Sequence, residues 1–406
     1  MLKNIEVSKA LDLLMSVPVK LDTELVPIGD ALGRVAAETV KAEIPFPPFD
    51  RSPFDGYAFV GKDTKDASAN KPVTLSVWQE IPAGVMPKEA VASGFAAKIL
   101  TGAPIPTGAD AVVKFEDTEF THESVTIFVP VAPGTNIVRA GEDMPVGTEI
   151  LHQGTEIEPA AMGLLAAQGL KQVKVYKKPV VSVINTGSEL AELGQPLPPG
   201  MIYNSGIYTL QGFLGKMGVT FRNGGIVGDD EQCIAERVRT ELATADMVIT
   251  TGGASVGDYD CAVAAAELAR ADILFWKVNM RPGGSILAYT LGGKLVLALS
   301  GNPGAAVLGL LLLGLPYIKK HSGRFDAVSE ECIVKLAKDV KKESPKKRIM
   351  RGFLKVEEGE AFFVENSGQG GGDISSFLNC DLLAEIPAGS PPQSAGSYVK
   401  AYRILK

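Results

Sequence analysis

Between residues 179 and 324 the sequence alternates apolar runs with amphipathic segments, and few folds accommodate that alternation. Residues 180–184 precede a helical pattern near 204–217, and 219–227 precede one near 231–243. Residues 247–251 precede one near 260–269, and 295–299 precede a last one from 303 to about 317. A short apolar run without polar alternation is a strand buried on both faces, so the pattern predicts a parallel sheet covered by helices on both sides. In such sheets ligands bind beyond the carboxyl ends of the strands.

The uncharged stretch 295–318, flanked by Lys294 and by Lys319 and Lys320, is long enough to span a bilayer. Its interior argues otherwise. The turn Ser300-Gly301-Asn302-Pro303 divides it into a short strand and a helix, neither of which spans alone. A buried strand and helix is the reading, and no membrane partner is expected.

The remaining chain has a different texture. Two amphipathic helical patterns open it, the first through Val7, Ala10, Leu11 and Leu14, the second capped by Asp30 before Ala31, Leu32 and Val35. Residues 42–146 are rich in Pro and Gly with short β-type runs at 73–77, 111–115 and 125–129, which reads as a β-rich domain. Residues 159–168 read as a helix with Pro159 in its first turn and Gly169 at its end. From 327 onward short strands and Gly/Pro turns return, a separate small β-domain. No repeat of 20 to 50 residues appears, which excludes solenoids and propellers.

Composition narrows the chemistry. The chain has 406 residues, 46% hydrophobic and 21% charged, with a net charge of −7. The apolar fraction excludes disorder, and the dispersed negative charge gives no basic surface for nucleic acid. The 4 cysteines lie far apart with no C-x-x-C pair, and the 3 histidines are isolated, so zinc and Ser-His-Asp chemistry lack material. A metal here would be a hard cation held by carboxylates. Lys3, Glu6, Lys9 and Asp12 interrupt any signal-peptide core, so a cytoplasmic protein is expected.

Three strand ends in the α/β segment run into small residues: Asn185-Thr186-Gly187-Ser188-Glu189, Thr250-Thr251-Gly252-Gly253-Ala254-Ser255-Val256-Gly257 and Ser300-Gly301-Asn302-Pro303-Gly304. Glycines let a backbone approach an anion, and the following helix adds a positive field. Each alone is also an ordinary tight turn; together they line one phosphate-binding crevice. None is a Walker A loop or a G-x-G-x-x-G fingerprint. Glu189, Asp229, Asp230, Asp258 and Asp260 stand beside them, suited to magnesium bridging to phosphates, while N-capping accounts equally for Asp230 and Asp260. Lys277 and Arg281 share a loop, 276–284, near the same sheet edge. The polar loops 49–57, 101–106 and 139–143 of the β-rich part read as structured turns, and the basic stretch 335–355 as a solvated strand edge.

Read in order, Asp55-Gly56-Tyr57-Ala58, Thr101-Gly102-Ala103-Pro104, Gly141-Glu142-Asp143, Thr186-Gly187-x-Glu189-Leu190, Gly252-Gly253-x-Ser255-x-Gly257, Phe275-Trp276-Lys277 and Gly301-Asn302-Pro303 resemble the molybdopterin molybdenumtransferase (MoeA) family over nearly the whole chain. The resemblance implies a multidomain α/β plus β protein. Residues 1–41 and 147–178 would form a discontinuous N-terminal domain, with a β-rich domain, 42–146, inserted in it. Residues 179–326 would form a parallel-sheet α/β domain resembling the molybdopterin adenylyltransferase fold, and 327–406 a C-terminal β-domain. It also implies a homodimer whose cleft is shared between subunits, a molybdopterin adenylyltransferase as donor of substrate, and insertion of molybdate into adenylylated molybdopterin with Mg2+ and release of AMP.

The site residues it implies are Asp55, Asp143, Glu189, Asp229, Asp260 and Lys277 for catalysis, with Glu189, Asp229 and Asp260 orienting the metal. Substrate would meet Thr101, Thr186, Gly252, Gly253, Ser255, Arg281, Ser300, Asn302, Pro303, Arg351 and Ser376. Several positions depart from the family pattern, among them Ser188 for an aspartate, Arg281 and Gly284 for two lysines, and Ser300 for a proline. These departures leave room for a divergent paralogue that binds molybdopterin as a dimer without turnover, and the α/β domain's resemblance to the adenylyltransferase leaves a molybdopterin nucleotidyltransferase as a second alternative.

Overall fold

The computed structural model describes residues 1–253, 261–327 and 330–404. The chain divides into two compact units, one made of Met1–Glu38, Gln153–Glu158 and Gln172–Lys406, the other of Thr39–His152 and Pro159–Lys171.

The first unit is built on a seven-stranded sheet of β1 (Leu2–Ile5), β2 (Val180–Thr186), β3 (Thr220–Val227), β4 (Met247–Thr251), β5 (Asp272–Val278), β6 (Leu287–Leu291) and β7 (Lys294–Leu299), in the order β1-β5-β6-β7-β4-β2-β3. The pairs β7–β4, β4–β2 and β2–β3 are parallel, as the βα alternation requires. The expectation of a wholly parallel sheet needs one correction, because β6 runs antiparallel to both β5 and β7. Gly292 and Gly293, both at positive φ, close β6 and β7 into a two-residue hairpin that only such a pair permits. Strand β5 also corrects the loop reading of 276–284, since Trp276 and Lys277 lie within it.

Side-chain alternation sends Val181, Val183, Met247, Ile249, Leu295 and Leu297 to one face, against α1 (Val7–Ser16), α2 (Ser205–Lys216) and the helix Pro303–His321. Ile184, Val248, Val296 and Ala298 face α3 (Glu231–Leu242) and α4 (Cys261–Leu268). The helix Pro303–His321 contains a π-helical stretch, Leu310–Gly314, and reaches 19 residues, longer than the turn arithmetic predicted. By length and composition it matches a membrane span, yet 83% of its apolar window is buried inside the protein.

The N-terminus departs from expectation. β1 pairs in parallel with β5, Lys3 opposite Trp276, and α1 buries Ala10 and Leu14 in the core of the α/β sheet. The first residues therefore complete that sheet. The second amphipathic pattern is not an α-helix: Ile28–Asp30 makes one 3-10 turn, and the chain then runs extended, bridging Val35 to Glu156 and Ala36 to Val175.

The C-terminal strands Glu331–Leu336, Lys347–Glu357, Glu360–Glu365, Leu382–Ile386 and Tyr398–Arg403 close on themselves, because Lys347–Glu357 pairs with both Glu360–Glu365 and Leu382–Ile386. Closure removes exposed edges, and Val334, Met350, Phe363 and Ala401 fill the interior. The short strand Met280–Arg281 pairs with Lys347 and Arg348 and ties the α/β sheet to this barrel.

The second unit carries a six-stranded sheet in the order Ala111–Lys114, Gly56–Phe59, Phe95–Ile99, Val73–Ile81, Ser124–Ile127 and Thr118–Phe120, together with the helix Pro159–Ala167. Its core joins Tyr57, Phe59, Leu75, Val113 and Ile127.

Candidate active site

Strands β2, β4 and β7 end side by side at Thr186, Thr251 and Leu299, and the three small-residue junctions that follow meet around one cleft of about 410 Å3. Glu189, Asp229, Thr186, Gly252, Gly253, Ser300, Asn302 and Pro303, all expected at the site, line it.

Close packing of backbones makes this possible. Gly252 sits at φ +94°, and a Cβ there would fall 2.5 Å from Thr186 Oγ1, so the second junction reaches the first only as glycine. Its N–H donates to the Leu299 carbonyl at 3.2 Å, joining the third. Thr186 is itself buried, its hydroxyl donating to the Thr251 carbonyl at 3.0 Å. Ser300 Oγ accepts from the Asn302 N–H at 3.2 Å, which shapes the turn, and Pro303 opens the long helix with Asn302 at its cap.

The carboxylates divide by role. Asp230 is the N-cap of α3, accepting from the Cys233 N–H at 2.7 Å, and that bond holds its carboxyl below the ordinary range. The capping alternative is therefore the structural one for Asp230. Asp229 Oδ2 accepts from both the N–H and the hydroxyl of Ser188 at 3.1 Å. The serine that replaces the family's aspartate thus donates where an aspartate would repel. Glu189 lies against Gly187 in the same wall. Asp260 and Ser255 lie outside the described residues.

Among the described residues no group of three or more His, Cys, Asp and Glu side chains forms a cation site. Glu189 and Asp229 nonetheless present hard oxygen donors to one cleft, which is the donor set Mg2+ takes when substrate phosphates and water complete its shell. The residues fit the ion as a bridging cation and not as a caged one.

Asn185 belongs to the first junction and borders the cleft. It is 2% exposed, its Nδ2 donates to Thr251 Oγ1 at 2.6 Å, and its Oδ1 is buried with no partner among the described residues. A buried acceptor left unpaired is costly. An amide side chain within a mostly apolar strand is the sequence signal that marks it.

Lys277 and Arg281 border a neighbouring cavity of about 550 Å3, which shares Ser285 with the cleft. Lys277 adopts φ +69°, uncommon for a side-chain-bearing residue, with Nζ 4.2 Å from the Trp276 ring centroid. Gly284, where the family carries lysine, has no room for one: a Cβ would lie 2.5 Å from the Val278 carbonyl and 2.6 Å from that of Met280.

Arg351 and Ser376 lie apart from both cavities' walls. Arg351 is 0% exposed, and burial pulls its pKa down. It donates to Gln369 Oε1 and to the Gly370 carbonyl at 3.0 Å, fixing a loop whose Gly371 carbonyl accepts from the Ala305 N–H at 2.8 Å. It acts on the start of the long helix through that loop. The Ser376 hydroxyl donates to the Asp373 carbonyl at 2.6 Å, a bond internal to the same loop.

In the β-rich unit the three polar loops are laced together. The Ser52 N–H donates to the Ala103 carbonyl, Arg51 and Val138 exchange backbone bonds, and Asp50 accepts from Arg139 and the Ala140 N–H at 2.6 and 2.8 Å. Thr101 donates twice to Asp55, while the Asp143 side chain is exposed.

Comparison with known proteins covers the chain almost end to end. Family models described as the MoeA N-terminal region (domain I and II), a probable molybdopterin binding domain and the MoeA C-terminal region (domain IV) match residues 5–169, 182–320 and 334–404. A molybdopterin molybdenumtransferase of Bacillus subtilis (strain 168) is 34% identical over 394 residues, 94% of this chain and 90% of the relative. One of Staphylococcus aureus (strain COL) is 32% identical over 395 residues, 97% of this chain and 94% of the relative. The crystal structure of a molybdopterin biosynthesis MoeA protein from Pyrococcus horikosii matches with a TM-score of 0.83 and 30% identity, covering 98% of this chain and 99% of that one. A molybdenum cofactor biosynthesis protein from Pyrococcus furiosus, at 18% identity and a TM-score of 0.59, shares the fold.

Proposed function

The chain belongs to the MoeA family of molybdopterin molybdenumtransferases, and on that premise we propose that it inserts molybdate into adenylylated molybdopterin and releases AMP. The observation that carries the reading is the convergence of three glycine-bearing junctions, after β2, β4 and β7, on one cleft with two carboxylates in its wall.

The residues divide the work by chemistry. The Gly253 N–H and the N-terminal end of the long helix would meet phosphate oxygens, while the Gly252 N–H, held by the Leu299 carbonyl, keeps the second junction against the third. Glu189 and Asp229, with Asp260, would hold Mg2+, which supplies charge neutralisation at the phosphoanhydride when bound. Ser188 holds Asp229 in orientation from behind. Lys277 and Arg281, across Ser285, favour the oxyanion and the charge developing on the departing AMP. No covalent nucleophile is invoked.

Asp55, Thr101 and Asp143 belong to the β-rich unit. The family resemblance assigns them to the cleft of the second subunit of a homodimer, with a molybdopterin adenylyltransferase supplying the substrate in the cytoplasm.

The test is incubation of the purified protein with adenylylated molybdopterin, Mg2+ and molybdate while AMP is followed. Molybdate-dependent AMP release is expected. Pterin binding without AMP release would reject turnover, and pyrophosphate release from ATP would point to a nucleotidyltransferase.

A further inference from the structure

The β-rich unit has a cavity that the proposed reaction does not use. It measures about 540 Å3, and Tyr57, Trp78, Phe120, Gln79, Lys98 and His122 line it. Trp78 is there because of a bulge. Val77 pairs with Ala96 and Gln79 with Ala97, so Trp78 is an extra residue in a parallel pairing, where bulges are rare and re-aim a side chain. The indole leans on Phe95 at 5.9 Å and stays 43% exposed. Phe120, 54% exposed, gives a second aromatic wall.

Tyr57 supplies the polar element. It is 1% exposed and packs on Phe115 and Phe120 at 5.2 and 5.8 Å, yet its hydroxyl makes no hydrogen bond to a described residue. The hydroxyl is not one of the fully buried atoms that lack a partner, so it is the part of the side chain that opens onto the cavity. Burial and then the nearby Glu80 carboxylate raise its pKa, so the hydroxyl keeps its proton and is a donor. Lys98 and Glu80, paired at 3.2 Å, bring charge of both signs to the region.

We propose that this cavity binds a planar heteroaromatic ring that packs against Trp78 and Phe120 and accepts a hydrogen bond from the Tyr57 hydroxyl. An aliphatic ligand would leave that hydroxyl unpaired, and a purely polar one would not use the aromatic walls. Purines and pterins share the required chemistry. The inference is independent of the reading of the α/β cleft.

The chain has 2 tryptophans, so protein carrying 5-fluorotryptophan gives one fluorine NMR signal for Trp78 and one for Trp276, assigned with Trp78→Phe. AMP is titrated in one arm and free pterin in the other. The Trp78 signal is expected to move saturably in at least one arm, and the responding arm identifies the ring. Tyr57→Phe should raise the Kd about tenfold, the upper range for one hydrogen bond. Phe120→Ala, at an exposed position that does not threaten the fold, should weaken binding as well. A Trp78 signal that stays put in both arms overturns the proposal, as does movement of Trp276 alone or an unchanged Kd in Phe120→Ala.

Discussion

Thr101 grips Asp55 with two donors at once: its backbone N–H and its hydroxyl both reach the same carboxylate oxygen, Oδ1, at 2.7 and 2.8 Å. The backbone bond first, then the hydroxyl, hold the Asp55 carboxyl below its ordinary 3.8. Two residues that the sequence marks 46 positions apart are therefore one element.

Thr101→Val removes the hydroxyl and leaves the N–H. The Asp55 pKa should rise part of the way toward 3.8, read by NMR of the side-chain carboxyl. Because the folded value is depressed, the associated stability is present above the unfolded value and disappears as pH falls through the folded one. The wild-type protein should thus lose more stability than Thr101→Val in that acidic window. Identical acid profiles would show that the hydroxyl does not act on Asp55.

Ser188→Asp restores the family residue but sets a second carboxylate beside Asp229. At neutral pH without divalent cations it should destabilise by about 1 kcal/mol, through a lost hydrogen bond and like-charge repulsion. Millimolar Mg2+ should restore the melting temperature if the cleft takes the ion. A Tm indifferent to Mg2+ in this variant would count against Asp229 as a metal-facing residue.

Gly252→Ala meets both a positive φ and the Thr186 side chain 2.5 Å from the new Cβ. A loss of about 2–3 kcal/mol in urea unfolding is expected, at the upper end of ordinary substitutions. Wild-type stability would mean that the junctions after β2 and β4 separate without penalty. Gly284→Lys, which restores a family lysine, should likewise destabilise, because its Cβ meets two backbone carbonyls.

Arg351→Lys keeps the charge and loses the planar fork that serves Gln369 and Gly370. It should cost about 2–3 kcal/mol, as buried carbonyls lose their partners. Proteolysis within residues 368–372 should accelerate. A variant as stable and as resistant as wild type would remove Arg351 as the residue that positions this loop.

Asp55→Ala and Asp229→Ala are each expected to abolish AMP release. If the cleft is shared in a homodimer, mixing the two and refolding should recover about a quarter of wild-type activity, since half the dimers would hold one intact site. No recovery from verified heterodimers would place both residues in one subunit's site.

The α/β architecture, and the sheet edge at which the three small-residue junctions gather, follow from the order of residues alone. The largely apolar runs at β2, β4 and β7 fit strands buried on both faces, and small residues after each mark the edge where the chain leaves the sheet. The order of motifs also determined the family. Local patterns did not reveal β1 as the outer strand of a sheet whose pairing partner, β5, lies some 270 residues away, because pairing across that distance leaves no periodic trace. The glycine pair Gly292-Gly293 stands in the sequence, but that it turns β6 back against β7 depends on the strands it joins.

Side-chain roles divided in the same way. The cleft's lining was legible in its glycines and carboxylates. It took the folded chain to show that Asp230 caps a helix, that Arg351 holds a loop, and that the Asn185 oxygen meets no donor among the described residues, because each outcome depends on which donors folding brings within about 3 Å. A charged residue's type states what it can do; its buried neighbours determine which of those things it does.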